Sequence, residues 1–209
     1  ERNLFFCKEK SMENNDILYQ AAKIFEEIKS YKIEITIGRK GQAEVFTIIF
    51  EDSDFHHLAG LHKLTDIVQV YKQNASIVFS KILEREICLR DLEASSFYTL
   101  IQDRISILLS LKNLFFNINS VFKFRKLMIP NSKIRWTYLL EFTYNTTDSG
   151  YLFLEEYRAK PANYVCVSNF KKNVDYGSGQ IKYTLLQAKA INKISEEEEV
   201  WYKNPAYKE

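Results

Sequence analysis

Tyr31-Lys32-Ile33-Glu34-Ile35-Thr36-Ile37, then Gly38-Arg39-Lys40-Gly41, then Glu44 to Phe50: this stretch decides the fold class. Ile33, Ile35 and Ile37 alternate with Lys32, Glu34 and Thr36, the period-two pattern of a strand with one buried face. The tetrad between the two Gly reads as a hairpin turn, and Glu44 to Phe50 as the returning strand. Upstream, Ile17, Leu18, Ala21, Ala22, Ile24, Phe25 and Ile28 recur at helical spacing over Asn15 to Ser30, with Asp16 as a cap. Downstream, Leu58, Leu61, Leu64 and Val68 predict one helix over Asp54 to Tyr71. Further helices are predicted over Asn74 to Cys88 and over Leu92 to Leu111, the second through Ile101, Ile105 and Leu108.

After Leu111 aromatic and β-branched residues dominate. Phe115 to Phe124, Trp136 to Tyr144, Tyr151 to Glu155, Tyr164 to Phe170 and Gln180 to Ile191 predict an antiparallel meander, interrupted at Pro130-Asn131. Its turns are Thr147 to Gly150 and Asp175 to Gly179. Helix, hairpin, helices, then strands is an α+β order and not a βαβ alternation. The expected architecture is an N-terminal hairpin and several helices packed on an antiparallel sheet of four or five strands. Residues 15–195 form one domain in this reading. Residues 1–14 are an N-terminal arm or the remnant of an upstream region, and 196–209, opening with the acidic run Glu196 to Glu199, are a tail.

Composition narrows the function classes. A length of 209 with 46% hydrophobic residues supports one packed domain and excludes a disordered chain, a collagen-like fibre and a disulfide scaffold. With 29 Lys+Arg against 27 Asp+Glu, the chain is not a polybasic nucleic-acid coat. Cys7, Cys88 and Cys166 are odd in number and widely spaced, which points to a reducing, cytoplasmic setting. No apolar run approaches the length of a bilayer span, so no membrane partner is expected. The start lacks both a signal-peptide core and an initiator Met, as a piece of a longer chain would.

Three features carry chemistry. The only three His lie in seven residues, His56, His57 and His62, with Lys63 adjoining. On a continuous helix His56 and Lys63 share a face, His57 borders the apolar stripe, and Asp66 lies four residues after His62, placed to orient it. Gly60 within the helix marks close approach of a backbone or ligand. Helix-surface and core-edge His without chemistry fit the same pattern. A metal site does not, because the spacing matches no ligand motif; neither metal nor other cofactor is expected. Acid–base use is the alternative, since imidazole titrates nearest neutrality.

Second, no acidic residue lies between Asp103 and Glu141, while Lys112, Lys123, Arg125, Lys126, Lys133 and Arg135 interleave there with Phe115, Phe116, Phe122, Phe124, Trp136 and Tyr138. The bias returns between Tyr157 and Lys193, so a near-neutral sum hides a polarised molecule. Cations among aromatics suit phosphate and base contacts, although a core with a solvated face has the same pattern. Third, the Asp175-Tyr176-Gly177-Ser178-Gly179-Gln180 turn is Gly-rich but lacks the following residues of a P-loop.

The run Phe50-x-x-x-x-Phe55-His56-His57-Leu58-Ala59-Gly60-Leu61-His62 after a hairpin resembles the F-x-H-L-x-G-L/I segment of the fourth phage-associated nuclease family of the barnase–EndoU–colicin E5/D–RelE superfamily. Ser120 to Phe124, Tyr151 to Leu154, Ser168-Asn169-Phe170 and Tyr176-x-x-x-Gln180 are similar too, over about Asp16 to Lys193. The resemblance implies a metal-independent endoribonuclease, a toxin of a phage, mobile element or bacterial conflict system, with helices on an antiparallel sheet. It also implies a cognate antitoxin or immunity protein as partner and action in the cytoplasm of its own or a target cell. His57 matches the motif His; His56, preferred by the helical geometry, sits at the variable position before it. Ser168, Tyr176 and Gln180 match the late polar positions, while no late Lys-Ser/Thr or Arg-Ser/Thr pair is present.

The candidate catalytic residues are therefore His57, His56, His62, Lys63 and Tyr176, and the candidate RNA-binding residues Lys123, Arg125, Arg135, Ser168, Gln180 and Lys182. In the implied reaction a His accepts the substrate's 2′-hydroxyl proton. Another His or Tyr176 protonates the leaving oxygen, and Lys63, Arg135 or Lys182 steadies the phosphorane. A non-catalytic RNA-binding or protein-interaction module using the same basic, aromatic surface is the alternative.

Overall fold

The computed structural model describes residues 16–125, 134–158 and 160–208. The expected arm at 1–14, Pro130-Asn131, Lys126 and Lys133 lie outside them. Helix α1 (Ile17–Lys29) buries the predicted stripe of Leu18, Ala21, Ala22, Phe25 and Ile28. Asp16 caps it through the Tyr19 amide at 3.0 Å, and its other oxygen accepts the Leu89 amide at 3.0 Å. The hairpin follows as β1 (Tyr31–Arg39) and β2 (Gln42–Ile49). Arg39 pairs with Gln42, so the turn is Lys40-Gly41 alone. Both have positive φ, 51° and 78°, as a two-residue turn matched to right-handed strand twist requires.

The predicted long helices are broken. Asp54 to Tyr71 is divided into α2 (Asp52–Leu58), a 3-10 turn at Leu61–Lys63 and α3 (Val68–Tyr71), because Gly60 adopts a left-handed φ of 75°. Asn74 to Cys88 contracts to α4 (Ala75–Leu83). The next is cut into α5 (Leu89–Glu93), a 3-10 turn at Tyr98–Leu100, α6 (Gln102–Leu108) and α7 (Leu111–Leu114). Ser95 and Ser96 lie at the cut, drawn into hydrogen bonds with Asp66 that compete with helix propagation.

Six more strands follow: β3 (Ile118–Lys123), β4 (Tyr138–Thr143), β5 (Ser149–Glu156), β6 (Asn163–Lys171), β7 (Ile181–Asn192) and β8 (Glu198–Lys203). β3 to β6 form the predicted antiparallel meander. β7 does not extend it past β6: it returns to β3 and also pairs with β1, from Tyr31 with Asn192 to Gly38 with Thr184. β2 pairs in parallel with β6 through Thr47–Ile49. The sheet therefore has eight strands and is mixed, not four or five antiparallel ones. Hairpin and meander are one sheet because the second edge of β1 needs a ladder partner and finds it in β7. Residues expected as a C-terminal tail supply β8, where Glu198 pairs with Ile191.

The β1–β7 ladder joins the ends of the order β1-β2-β6-β5-β4-β3-β7, so seven strands form a ring with β8 attached to β7. Side chains meet across its interior. Phe46 of β2 stacks on Tyr138 of β4 with centroids 4.4 Å apart, although the two strands are not paired. Two residues earlier on the same face, the Glu44 carboxylate accepts from Lys123 Nζ, Tyr138 Oη and Tyr183 Oη, each at 3.0 Å. Burial opposes the charge on Glu44, but these donors from β3, β4 and β7 outweigh it and hold the carboxyl below its usual range.

Two apolar cores result. In the larger, Phe25 meets Phe50, Phe55 and Phe79 edge-on at 5.4–5.8 Å, joining α1, the entry to α2, and α4. The smaller holds Phe122, Trp136, Leu139, Tyr151 and Phe153, with Phe170 and Tyr176 packed against it. Gly177 lies against the Phe122 ring, where a Cβ would come within 2.6 Å of Cζ. The Gly-rich turn thus packs on aromatics.

Candidate active site

The His segment is placed by what ends β2. The Glu51 amide donates to Asp54 Oδ2 at 2.8 Å, which starts α2, and burial pushes the Asp54 carboxyl up to about 6. Phe55 and Leu58 bury the inner face of α2. The helix stops at Leu58, the Gly60 amide donates to the His57 carbonyl at 3.1 Å, and the reversal at Gly60 turns the chain back. His57 and His62 thereby come to 5.2 Å between ring centroids, and His56 and His62 to 6.4 Å.

Each His has a different role. His56 is buried, and its Nε2 lies 3.0 Å from the Val70 carbonyl. A carbonyl only accepts, so Nε2 carries the hydrogen and the ring is committed to holding α3. His56, which continuous-helix geometry preferred, is the one satisfied by backbone, and His57, which matches the family motif, is exposed. His62 is half-buried with its Nδ1 buried and unpartnered. Burial first, then His57 and Arg104, push it down to about 4, so it is neutral at pH 7. Asp66 does not orient it; that carboxylate accepts from Ser95 Oγ and from the amide and hydroxyl of Ser96.

Arg104 completes the group and is absent from the sequence candidates. It projects from α6 with 5% exposure, donates from Nη1 to Ser168 Oγ at 3.1 Å, and lies 4.3 Å over the Phe170 ring. Burial pushes it down to about 10, and no carboxylate among the described residues pairs with it to offset that cost. A Cβ on Gly60 would meet Arg104 Cδ at 2.8 Å, so glycine supplies both the turn and the room. Burial, then Arg104, also lower the Lys63 ammonium. Asn169, beside Ser168, is fully buried with both amide atoms unpartnered. The signal for Arg104 was its place on the stripe of Ile101, Ile105 and Leu108, where a charge must have a purpose.

Of the sequence candidates, the structure brings together His56, His57, His62, Lys63 and, through Arg104, Ser168. Tyr176 stacks on Phe170, centroids 6.3 Å apart, and reaches the group only through that ring. Lys123 is paired with Glu44. The Gln180 Oε1 accepts the Arg125 amide at 2.7 Å, and Lys182 Nζ lies 5.9 Å over Phe122. Arg135 lines a separate open cleft of about 420 Å³ with Glu155, Glu156 and Arg158. Among the described residues no set of three or more His, Cys, Asp or Glu is arranged to hold a metal ion.

Cations and imidazoles converging without a carboxylate make a seat for an anion. A family model described as phage-Barnase-EndoU-ColicinE5/D-RelE like nuclease 4 matches residues 17–204. The chain belongs to this family. No curated protein and no solved structure matches it. The matched span of this nuclease runs from the first residue of α1 to just past β8, so the ring and the His–Arg group both fall within it. The family is one of nucleases. No helix among the described residues is long and apolar enough to cross a membrane.

Proposed function

We propose that this nuclease cleaves RNA without a metal ion, using the substrate's own 2′-hydroxyl as nucleophile. The observation that carries the reading is Arg104, a buried guanidinium beside His57, His62 and Lys63 with no carboxylate partner among the described residues. An uncompensated buried cation is costly unless a ligand brings the opposite charge. In the reaction, exposed His57 takes the 2′-hydroxyl proton as O2′ bonds to phosphorus. The P–O5′ bond breaks, and Lys63, made more acidic by burial and by Arg104, gives a proton to the departing oxygen. Arg104 and neutral His62 donate to the phosphorane oxygens. The products are a 2′,3′-cyclic phosphate and a 5′-hydroxyl end.

The phage designation of the family supports a toxin of a phage, mobile element or bacterial conflict system, acting in the cytoplasm and restrained by a cognate antitoxin or immunity protein. A second reading, an RNA-binding module without catalysis, is favoured by the outer cations: Lys172 lies 5.6 Å over Tyr151 and Lys182 5.9 Å over Phe122. Cleavage in excess chelator with cyclic-phosphate ends separates the two. His57→Ala is expected to lower that rate about 100- to 10,000-fold while RNA binding persists. Cleavage abolished by chelator, or RNA bound but never cut by the parent protein, overturns the proposal.

A further inference from the structure

Two short exposed apolar elements flank the cationic group and have no part in the mechanism above. α3 presents Val68 and Tyr71, 59% and 43% exposed; Phe97 and Leu100, at the second 3-10 turn, are 38% and 55% exposed. Both elements are held against the His loop. The His56 Nε2–H grips the Val70 carbonyl and pins α3 to α2. Ile101, directly after Leu100, lies against Gly60 with Arg104 beside it, so that turn leads into the buried guanidinium. Asp66 joins the two elements to each other, accepting from Ser95 Oγ at 2.5 Å and from the Ser96 amide and hydroxyl at 2.9 and 2.8 Å. The fold buries most of its large aromatics, yet these two rings stay in solvent, on elements tied to the His loop and to the start of α6.

We propose that Tyr71 and Phe97, flanked by Val68 and Leu100, form a stacking platform for unpaired bases next to the phosphate held at Arg104. The inference rests on the RNA reading of that site and adds a substrate class, single-stranded RNA. A strand with splayed bases places phosphates on cations and bases on rings at once; a paired helix keeps its bases stacked on one another and inaccessible. Aromatic rings tolerate any base, so the platform selects strandedness and not sequence.

The test uses the full chain and a fluorescent 2′-O-methyl octanucleotide, which cannot supply the nucleophile, so binding is read apart from cleavage. By anisotropy, Tyr71→Ala and Phe97→Ala are each expected to weaken single-strand binding about tenfold. Tyr71→Phe keeps the affinity, and Phe97→Leu, which retains apolar volume without the ring, loses it as Ala does. Binding of the same sequence as a duplex does not change. Unaltered single-strand binding by both Ala variants while Arg104→Ala weakens it overturns the platform and spares the RNA site; it would leave the rings as a protein contact. Equal losses for strand and duplex overturn the platform as well. Strand binding absent in the parent, or unaffected by Arg104→Ala, overturns both readings. Melting curves that superimpose on the parent's show that the variants are folded.

Discussion

β2 runs between two polar groups of opposite character. Towards its start, Glu44 collects a lysine and two tyrosine hydroxyls from three other strands, and each charge has a partner at 3.0 Å. Past its end, among the described residues, Arg104 is buried without a carboxylate partner, His62 keeps an unpartnered nitrogen, and Asn169 keeps two unpartnered atoms. Both groups are titratable clusters on the same scaffold. The Glu44 donors leave its charge stabilised and its basicity lowered, so this end holds strands together and is poorly suited to proton transfer. The described residues leave the His–Arg end incomplete. A buried polar group that the fold does not satisfy marks where something else belongs.

Removing one member of each group separates their roles. Arg104→Ala is expected to lower kcat/KM for RNA by about 100- to 1,000-fold, as for other groups that stabilise transition-state charge, with the melting temperature held or raised. A marked loss of stability with normal turnover would show Arg104 to be structural. Glu44→Ala is the mirror image. It leaves Lys123, Tyr138 and Tyr183 without their shared acceptor and is expected to cost about 1–3 kcal/mol in urea unfolding, with kcat unchanged. Loss of turnover in a folded Glu44→Ala protein would move chemistry to that end. The smallest effect is in pH dependence. His62 sits at about 4 in the folded chain, below its usual value, so the unfolded state binds more protons between about 4 and 6.5. Stability from this group is present above that window and lost as pH falls through it. Asp54, raised to about 6, works in the opposite sense, so the readout is the difference between parent and His62→Gln. The variant is expected to lose less stability on acidification to pH 4.5; parallel curves would mean that His62 is not buried in its neutral form.

Local pattern predicted local structure well. The alternation of Ile33, Ile35 and Ile37, the helix of Leu18 to Ile28 and its Asp16 cap are all present, because each depends on neighbours within a few residues. Interruptions were harder to read. Gly60 ends a helix whose apolar spacing continues through Leu64 and Val68, and Asp66 draws Ser95 and Ser96 out of another from thirty residues away. Register across the ring was not readable, since nothing near Tyr31 indicates Asn192 as its partner. The site follows the same division. His57, His62 and Lys63 were visible as a cluster, but their distinct roles depend on which ring meets Val70 and which meets Arg104, and those are tertiary facts. Ser168 entered only through resemblance to a family motif. Arg104 stands next to Asp103 as one of a pair of opposite charges, and only its phase on the helix places it inside.

The strand that closes the ring is also among the last to be made. β7 joins β1, β3 and β8, so β1 has no second neighbour until residues 181–192 have emerged, after β6 has become available to β2. The His loop is complete by Lys63, yet the Ser168 hydroxyl that steadies Arg104 belongs to β6, more than a hundred residues later. Such non-local closure makes folding slow compared with local helix pairing. On the proposal that this nuclease attacks RNA, the delay separates translation from hazard: a nascent chain on its own message carries the histidines well before it carries the assembled His–Arg group.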